Sequence, residues 1–258
     1  MENIIRRFGW LPDLPDMRDL VGLPAKLLKL EKPLLARVDR RDECSETKDQ
    51  TIFGSCVGHA SSSALEFLDI KFDGYYTSLS PMFLYYCLRL MEGTVNSDSG
   101  ASIRDAIKLI NNPGICSEAL WPYGKKWSDF TRPPTARCYK DAWNHKAVEY
   151  RHLSTIQEIK SALAGGYPVV FGMSVYESFN YGSTARTGIV PMPSRSEVML
   201  GGHAVYMAGY DDSEKHFICM NSWGKDWGIS GSFYLPYEYL LNGLADDFWM
   251  ISKINYND

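Results

Sequence analysis

The spacing of apolar residues changes part-way along the chain, from a helical repeat to strand-like runs, and this change limits the folds open to it. After Ser55, the apolar residues Val57, Ala60, Ala64, Phe67 and Leu68 recur at helical spacing, with Ser61, Ser62, Glu66 and Asp69 largely between them. A helix is therefore expected to begin at Cys56. Ser80 followed by Pro81 is a cap with proline at the first helical position, predicting a helix through Tyr85, Tyr86 and Leu90 that stops at Gly93. A third helix is expected from about Ser102 to Ile110. Ser154, with Gln157 three residues on, predicts a capping box for a fourth, which Gly165 and Gly166 end. Beyond that point Tyr167 to Val175, His203 to Tyr210, His216 to Met220, Ser232 to Leu235 and Phe248 to Ile254 are rich in Val, Ile, Phe, Tyr and Met. These segments predict an antiparallel sheet, partly closed in the manner of a barrel. A helical lobe followed by a strand-rich lobe is an α+β chain with a cleft between the lobes, a usual place for an active site.

The length of 258 residues suits two packed lobes, expected over about 45–140 and 141–258 of a domain that starts near residue 35. Residues 1–34 stand apart as an N-terminal leader, with four prolines and the large apolar side chains Phe8, Trp10, Leu11 and Leu14, which cannot form a core alone. The leader is expected to dock on the main body and to lie in the cleft, where it would act as an intramolecular inhibitor.

A formal charge of −4 and a pI near 5.8 leave no basic surplus, which sets aside nucleic acid and anionic membrane as partners. No stretch approaches the roughly 20 apolar residues that span a bilayer. Arg6 and Arg7 are followed by Pro12, Asp13, Pro15 and Asp16 rather than by an apolar run, so no conventional secretory signal is read. A cytoplasmic protein, or one exported by another route, is the expectation. The six cysteines, at 44, 56, 87, 116, 138 and 219, have no C-x-x-C spacing, which excludes zinc fingers and makes reduced thiols the default. His59 has no nearby Cys, Asp or Glu to complete a metal site and is read as a packing residue. Neither metal nor organic cofactor is expected.

Three short segments carry chemistry. A cysteine at a helix N-terminus near an imidazolium has its pKa lowered, and Cys56 meets the first condition. Gly54 and Ser55 precede it, and Gly54 allows close approach of a substrate backbone. Gln50 is placed to donate a side-chain N–H to a developing oxyanion together with the backbone N–H of Cys56. In Gly201-Gly202-His203-Ala204-Val205 a histidine starts an apolar strand after two glycines that leave room beside it. In Asn221-Ser222-Trp223-Gly224-Lys225-Asp226-Trp227-Gly228 the Asn oxygen can accept the imidazole N–H, and Trp223 can keep water off that bond. Nucleophile, base and orienting group are then all present.

On Gln50 with Gly54-Ser55-Cys56, Gly202-His203-Ala204 with Gly209-Tyr210, and Asn221-Ser222-Trp223-Gly224-x-x-Trp227-Gly228, the chain resembles the papain-like cysteine peptidases, papain and the cathepsins. The matches stand in the family's order and span residues 50 to 228. The resemblance implies a two-lobe papain-like fold, with Cys56 as nucleophile, His203 as acid and base, Asn221 as orienter and Gln50 as oxyanion donor. It also implies that Ser99 and Gly100 pair with an extended substrate backbone, and that Gly202 borders a substrate side-chain pocket. A family disulfide would correspond to Cys87 and Cys138. Two departures stand out: Val57 replaces the usual aromatic residue after the nucleophile, and Phe53 replaces a cysteine that is half of a family disulfide. In place of a long helical pro-region, Gly9-Trp10-Leu11-Pro12-Asp13-Leu14-Pro15-Asp16 looks like the short leader of some bacterial and viral members.

The implied function is hydrolysis of peptide bonds in extended peptide or protein substrates through a thioester. Two alternatives keep the fold: a catalytically silent peptide-binding relative with a closed cleft, and an acyltransferase or amidase that uses the same triad on a non-peptide substrate.

Overall fold

The computed structural model describes residues 6–28 and 33–253. Along the chain run α1 (Ala25–Leu28), β1 (Arg37–Asp39), a 3₁₀ turn (Arg41–Glu43), α2 (Cys56–Asp73), α3 (Pro81–Met91), α4 (Ile103–Asn111), α5 (Trp127–Thr131) and α6 (Ala136–Ala142). There follow β2 (Glu149–Leu153), α7 (Ile156–Ala164), β3 (Val169–Tyr176), α8 (Glu177–Tyr181), α9 (Thr184–Thr187), β4 (Met199–Asp211), β5 (His216–Met220), β6 (Ser232–Pro236), α10 (Glu238–Leu241) and β7 (Ala245–Ser252).

The helices start where local chemistry starts them. Ser80 Oγ accepts the Phe83 N–H at 3.0 Å ahead of α3, and Ser102 Oγ accepts the Asp105 N–H at 3.2 Å ahead of α4. The α7 capping box lies one residue later than expected: Thr155 Oγ1 accepts the Glu158 N–H at 3.1 Å, and Glu158 Oε2 accepts the N–H groups of Ser154 and Thr155. Glu158 outcompetes Gln157 because a carboxylate accepts two backbone donors more strongly than an amide.

Helix α2 is the central element, packed against α3, α4 and β4. Its approach to α3 needs Gly58, where a Cβ would lie 2.7 Å from the Pro81 carbonyl oxygen. The polar residues between its apolar ones do not face water. Ser61, Ser62, Glu66 and Asp69 are buried, and Glu66 accepts from Lys48 Nζ at 2.7 Å, Ser45 Oγ at 2.5 Å and the Leu79 N–H at 2.7 Å.

The sheet is antiparallel throughout, in the order β2-β7-β3-β4-β5-β6, with β1 added to the far end of β4. It is open, which corrects the expectation of a partly closed barrel. Bulges at Val170/Gly172 and Met207/Gly209 bend it without bringing β2 and β6 together. Strand β4 starts at Met199, four residues earlier than expected, because Gly201 and Gly202 pair with Val175 and Ser174 despite having no side chains. Strands β1 and β2 had no sequence signal: Arg-Val-Asp and Glu-Tyr-Arg-His-Leu lack an apolar run, as suits charged edge strands. Trp249, Phe171, Phe217 and Phe233 fill the strand-rich lobe, and Phe67, Phe83, Tyr85 and Phe130 the helical lobe, all fully buried. Among the described residues, no helix is long and apolar enough to cross a membrane.

Candidate active site

Cys56 is the first residue of α2, and its thiol meets the backbone N–H of Ala204 on β4, next to His203; Asn221 follows directly after β5. Pairing of Tyr206 with Met220 brings the histidine and asparagine together. His203 Nε2 donates to Asn221 Oδ1 at 2.8 Å, and the same oxygen accepts the Ser222 N–H at 2.8 Å. The Trp223 ring lies 5.0 Å from the imidazole and tilted 32° to it, itself packed on Phe179 and Trp227. Both His203 and Asn221 are buried under it. His203 Nδ1 has no hydrogen-bond partner among the described residues, so it is the ring nitrogen left to exchange a proton.

Gln50 is fully buried and its amide is oriented from both ends. Ser222 Oγ donates to Oε1 at 2.7 Å, which turns Nε2 toward the Phe53 carbonyl at 2.9 Å and the Arg7 carbonyl at 3.3 Å. The Gln50 carbonyl accepts from the Tyr123 hydroxyl at 2.8 Å. With its hydrogen so used, the Tyr123 hydroxyl accepts from Ser55 Oγ at 2.6 Å. Ser55 is thereby held against Tyr123 rather than capping α2.

The segment from Arg6 to Asp13 runs across these residues. Arg6 lies over the Trp223 ring at 5.1 Å and donates to Asp49 at 2.7 Å. The Phe8 ring stands edge-on to His203 with centroids 6.3 Å apart. The Gly9 carbonyl accepts the Ala101 N–H at 2.8 Å, Trp10 N–H donates to the Gly202 carbonyl at 2.9 Å, and Leu11 N–H donates to the Ala101 carbonyl at 3.0 Å. Trp10 fills a space walled by Gly172 and Gly202, and its Nε1 donates to the buried Asp247 at 2.9 Å. A Cβ at Gly172 would lie 1.9 Å from that indole. Of the four large apolar residues expected to dock, Phe8 and Trp10 do so, whereas Leu11 and Leu14 stay 46% and 80% exposed.

Covered in this way, the pair is electrically quiet. Burial pushes the Cys56 thiol above its ordinary 9.0, against backbone N–H groups of Ala204, Gly9 and Val57 that favour the thiolate. Burial pushes His203 down to about 4, with the Asn221 hydrogen bond opposing and the Arg6 charge adding to the drop. Desolvation of both charged forms outweighs the helix terminus, so the neutral thiol and imidazole are favoured while the segment stays in place.

Of the residues that the resemblance assigns to substrate, Gly54, Gly100 and Gly202 line the slot that holds Gly9 and Trp10, and Gly100 adopts a φ of +75° where a Cβ would strike the Gly9 carbonyl. Ser99 turns its hydroxyl to Thr94 Oγ1 at 2.8 Å, and backbone pairing at this edge is made by Ala101. Cys87 and Cys138 are free thiols, as are the other four, so the implied disulfide is not formed. His59 is buried, its Nδ1 3.0 Å from the Ser55 carbonyl and its ring against Tyr123. His152, Asp246 and Asp247 bring ligand-type atoms within 4.8 Å of one another at the anchor of Trp10; proximity alone does not make a metal site, and Cys56 chemistry needs none. Ser222, Asp98 and Asp247, all in contact with the site or its covering segment, escaped the sequence reading. Only Ser222 carried a signal, as the residue between Asn221 and Trp223.

A cysteine opening the central helix, facing a histidine-asparagine pair on an antiparallel sheet, defines a class of thiol-dependent hydrolases. A family model for papain family cysteine proteases matches residues 34–244, and the chain belongs to that family as a cysteine peptidase. It is 36% identical over 277 residues to an uncharacterized peptidase C1-like protein of Acanthamoeba polyphaga mimivirus, covering 98% of this chain and 88% of the relative. Against cathepsin K of Gallus gallus it is 30% identical over 201 residues, covering 74% of this chain and 55% of the relative. The crystal structure of xylellain, a cysteine protease from Xylella fastidiosa, superposes with a TM-score of 0.87 at 37% identity over 99% of both chains.

Proposed function

We propose that the chain hydrolyses peptide bonds in extended polypeptides through Cys56, His203 and Asn221, with residues 6–13 holding the site closed until they are displaced. His203 takes the Cys56 proton, and the thiolate attacks the substrate carbonyl carbon. The resulting oxyanion is met by Gln50 Nε2 and the Cys56 N–H. His203 then protonates the leaving nitrogen, the C–N bond breaks and a thioester remains. Water attacks the thioester, giving its proton to His203, and sulfur leaves to regenerate the thiol. Asn221 holds the ring through Nε2 so that Nδ1 is the nitrogen that works.

The observation that carries this reading is the buried 2.8 Å His203–Asn221 bond, with Nδ1 unpartnered and Gln50 Nε2 aimed at a backbone carbonyl, that of Arg7. Inhibition by the leader is supported by the Gly9, Trp10 and Leu11 backbone bonds, which use the same cleft edges that an extended substrate would need. Hydrolysis of a peptide mixture, analysed by mass spectrometry with and without residues 1–34, tests both parts. New termini from wild type and none from Cys56→Ala are expected. Peptides left intact by both forms would contradict the reading.

A further inference from the structure

The slot that holds Gly9 lies between two loops: residues 53–55 ahead of α2, and residues 97–101 after α3. The fit is close, since a Cβ on Gly9 would lie 1.8 Å from the Gly54 carbonyl oxygen, and one on Gly100 would lie 2.4 Å from the Gly9 carbonyl oxygen. No disulfide joins the two walls, because all the cysteines are free and Phe53 packs on Phe130, centroids 3.9 Å apart. What joins them is one carboxylate. Asp98, its side chain 4% exposed, accepts the Gly54 N–H at 3.1 and 3.2 Å and the Tyr85 hydroxyl at 2.5 Å. The Tyr85 hydroxyl, its hydrogen given to Asp98, accepts the Gly100 N–H at 3.2 Å. The chain of donors therefore runs from Gly100 through Tyr85 to Asp98, with Gly54 closing on Asp98 from the other wall. Tyr85 is fully buried on α3 under the Arg89 guanidinium, which lies 4.2 Å from the ring and is itself fixed to the carbonyls of Val95 and Phe130. Arg7 also reaches Asp98, at 3.3 Å, but its side chain is 67% exposed and adds little.

We infer that Asp98, acting through Tyr85, is a positioning residue that sets the separation of the two cleft walls at which an extended backbone fits beside Cys56. A carboxylate suits the task because it takes several short, charge-assisted bonds at once, and losing either partner leaves a buried polar group unsatisfied. The consequence for turnover rests on the peptidase reading above; the consequence for the walls does not.

Tyr85→Phe removes one oxygen without touching Arg7, and Asp98→Ala removes the hub. In hydrogen exchange on the full chain, both variants should raise exchange at residues 54–56 and 100–101 about tenfold or more, leaving β4 and β5 unchanged. Turnover gives a second readout. For an extended peptide long enough to lie along Gly100 and Ala101, kcat/KM should fall about tenfold, and for a single-residue ester that reaches only Cys56 it should stay within about threefold. Unchanged exchange at both walls would overturn the inference. So would a uniform rise across the whole chain, or an equal loss on both substrates, since either would assign the group to general stability. Wild type that turns over neither substrate even after removal of residues 1–34 would refute the peptidase reading, while the exchange pattern would still judge the walls.

Discussion

A side-chain amide has no built-in orientation, and at Gln50 the choice is made by Ser222, whose hydroxyl donates to Oε1 and leaves Nε2 for the cleft. Gln50→Ala should lower kcat roughly a hundredfold or more with KM little changed, because the role proposed for it, donation to the oxyanion, is exercised in the transition state. Ser222→Ala should lower kcat by about tenfold, since the amide stays but can turn; steady-state kinetics on one peptide substrate compares the two. Loss from Ser222→Ala equal to that from Gln50→Ala, or none from either, would count against this division of roles. Cys56, His203, Asn221 and Gln50 could be singled out because their residue types and order carry the resemblance, and the structure sets His203 against Asn221 and buries Gln50 beside Ser222. Asp98 and Asp247 were not, because a lone aspartate in a loop or at a strand start looks like any solvated one until its burial is seen.

At the scale of elements, the leader meets the body through two carboxylates of like charge. Asp247 accepts from Trp10 Nε1 and the Asp13 N–H, while Asp13 itself accepts from Trp249 Nε1 and the Arg104 N–H. Burial first, and then the Asp13 charge, push Asp247 from 3.8 up to about 6, and burial also raises Asp13. Asp247 should return toward 3.8 once the leader lifts off, so docking takes up a proton. Docking should be tightest below about pH 4 and weaken as pH rises through about 6. The rate of Cys56 labelling in the full chain, divided by that in Asp247→Asn, should therefore climb between pH 5 and 7; a flat ratio would mean that Asp247 does not set the pH dependence of docking. Caps give a separate test. Ser80 Oγ accepts from Phe83 and donates to the Trp121 carbonyl at 2.6 Å, so Ser80→Ala should cost about 1–2 kcal/mol in urea unfolding. The starts of α3 and α4 were legible because capping is local, and that of α2 because apolar residues recur at helical spacing after Ser55. Closure of the sheet, the α7 cap and the edge strands β1 and β2 were not, since they depend on bulges, competing acceptors and partners distant in sequence.

On the scale of the whole molecule, a helical lobe carries Cys56, an open sheet carries His203 with Asn221 just after β5, and residues 6–13 lie across them. Trp10, Asp13 and Arg6 hold residues 6–13 in place through Asp247 and Asp49, and burial at Cys56 favours the neutral thiol. The change from helical to strand periodicity foretold the two lobes of the fold; near the N-terminus Phe8 and Trp10 pack on the body, whereas Leu11 and Leu14 stay in water. The most direct test is mass spectrometry of the protein after treatment with a peptide-directed epoxide, run on the full chain, on the chain without residues 1–34 and on Cys56→Ala. A single adduct on Cys56 is expected, slow to form in the full chain, at least about tenfold faster without residues 1–34 and absent in the variant. An adduct elsewhere, or none on Cys56 once the leader is gone and the protein remains folded, would contradict it.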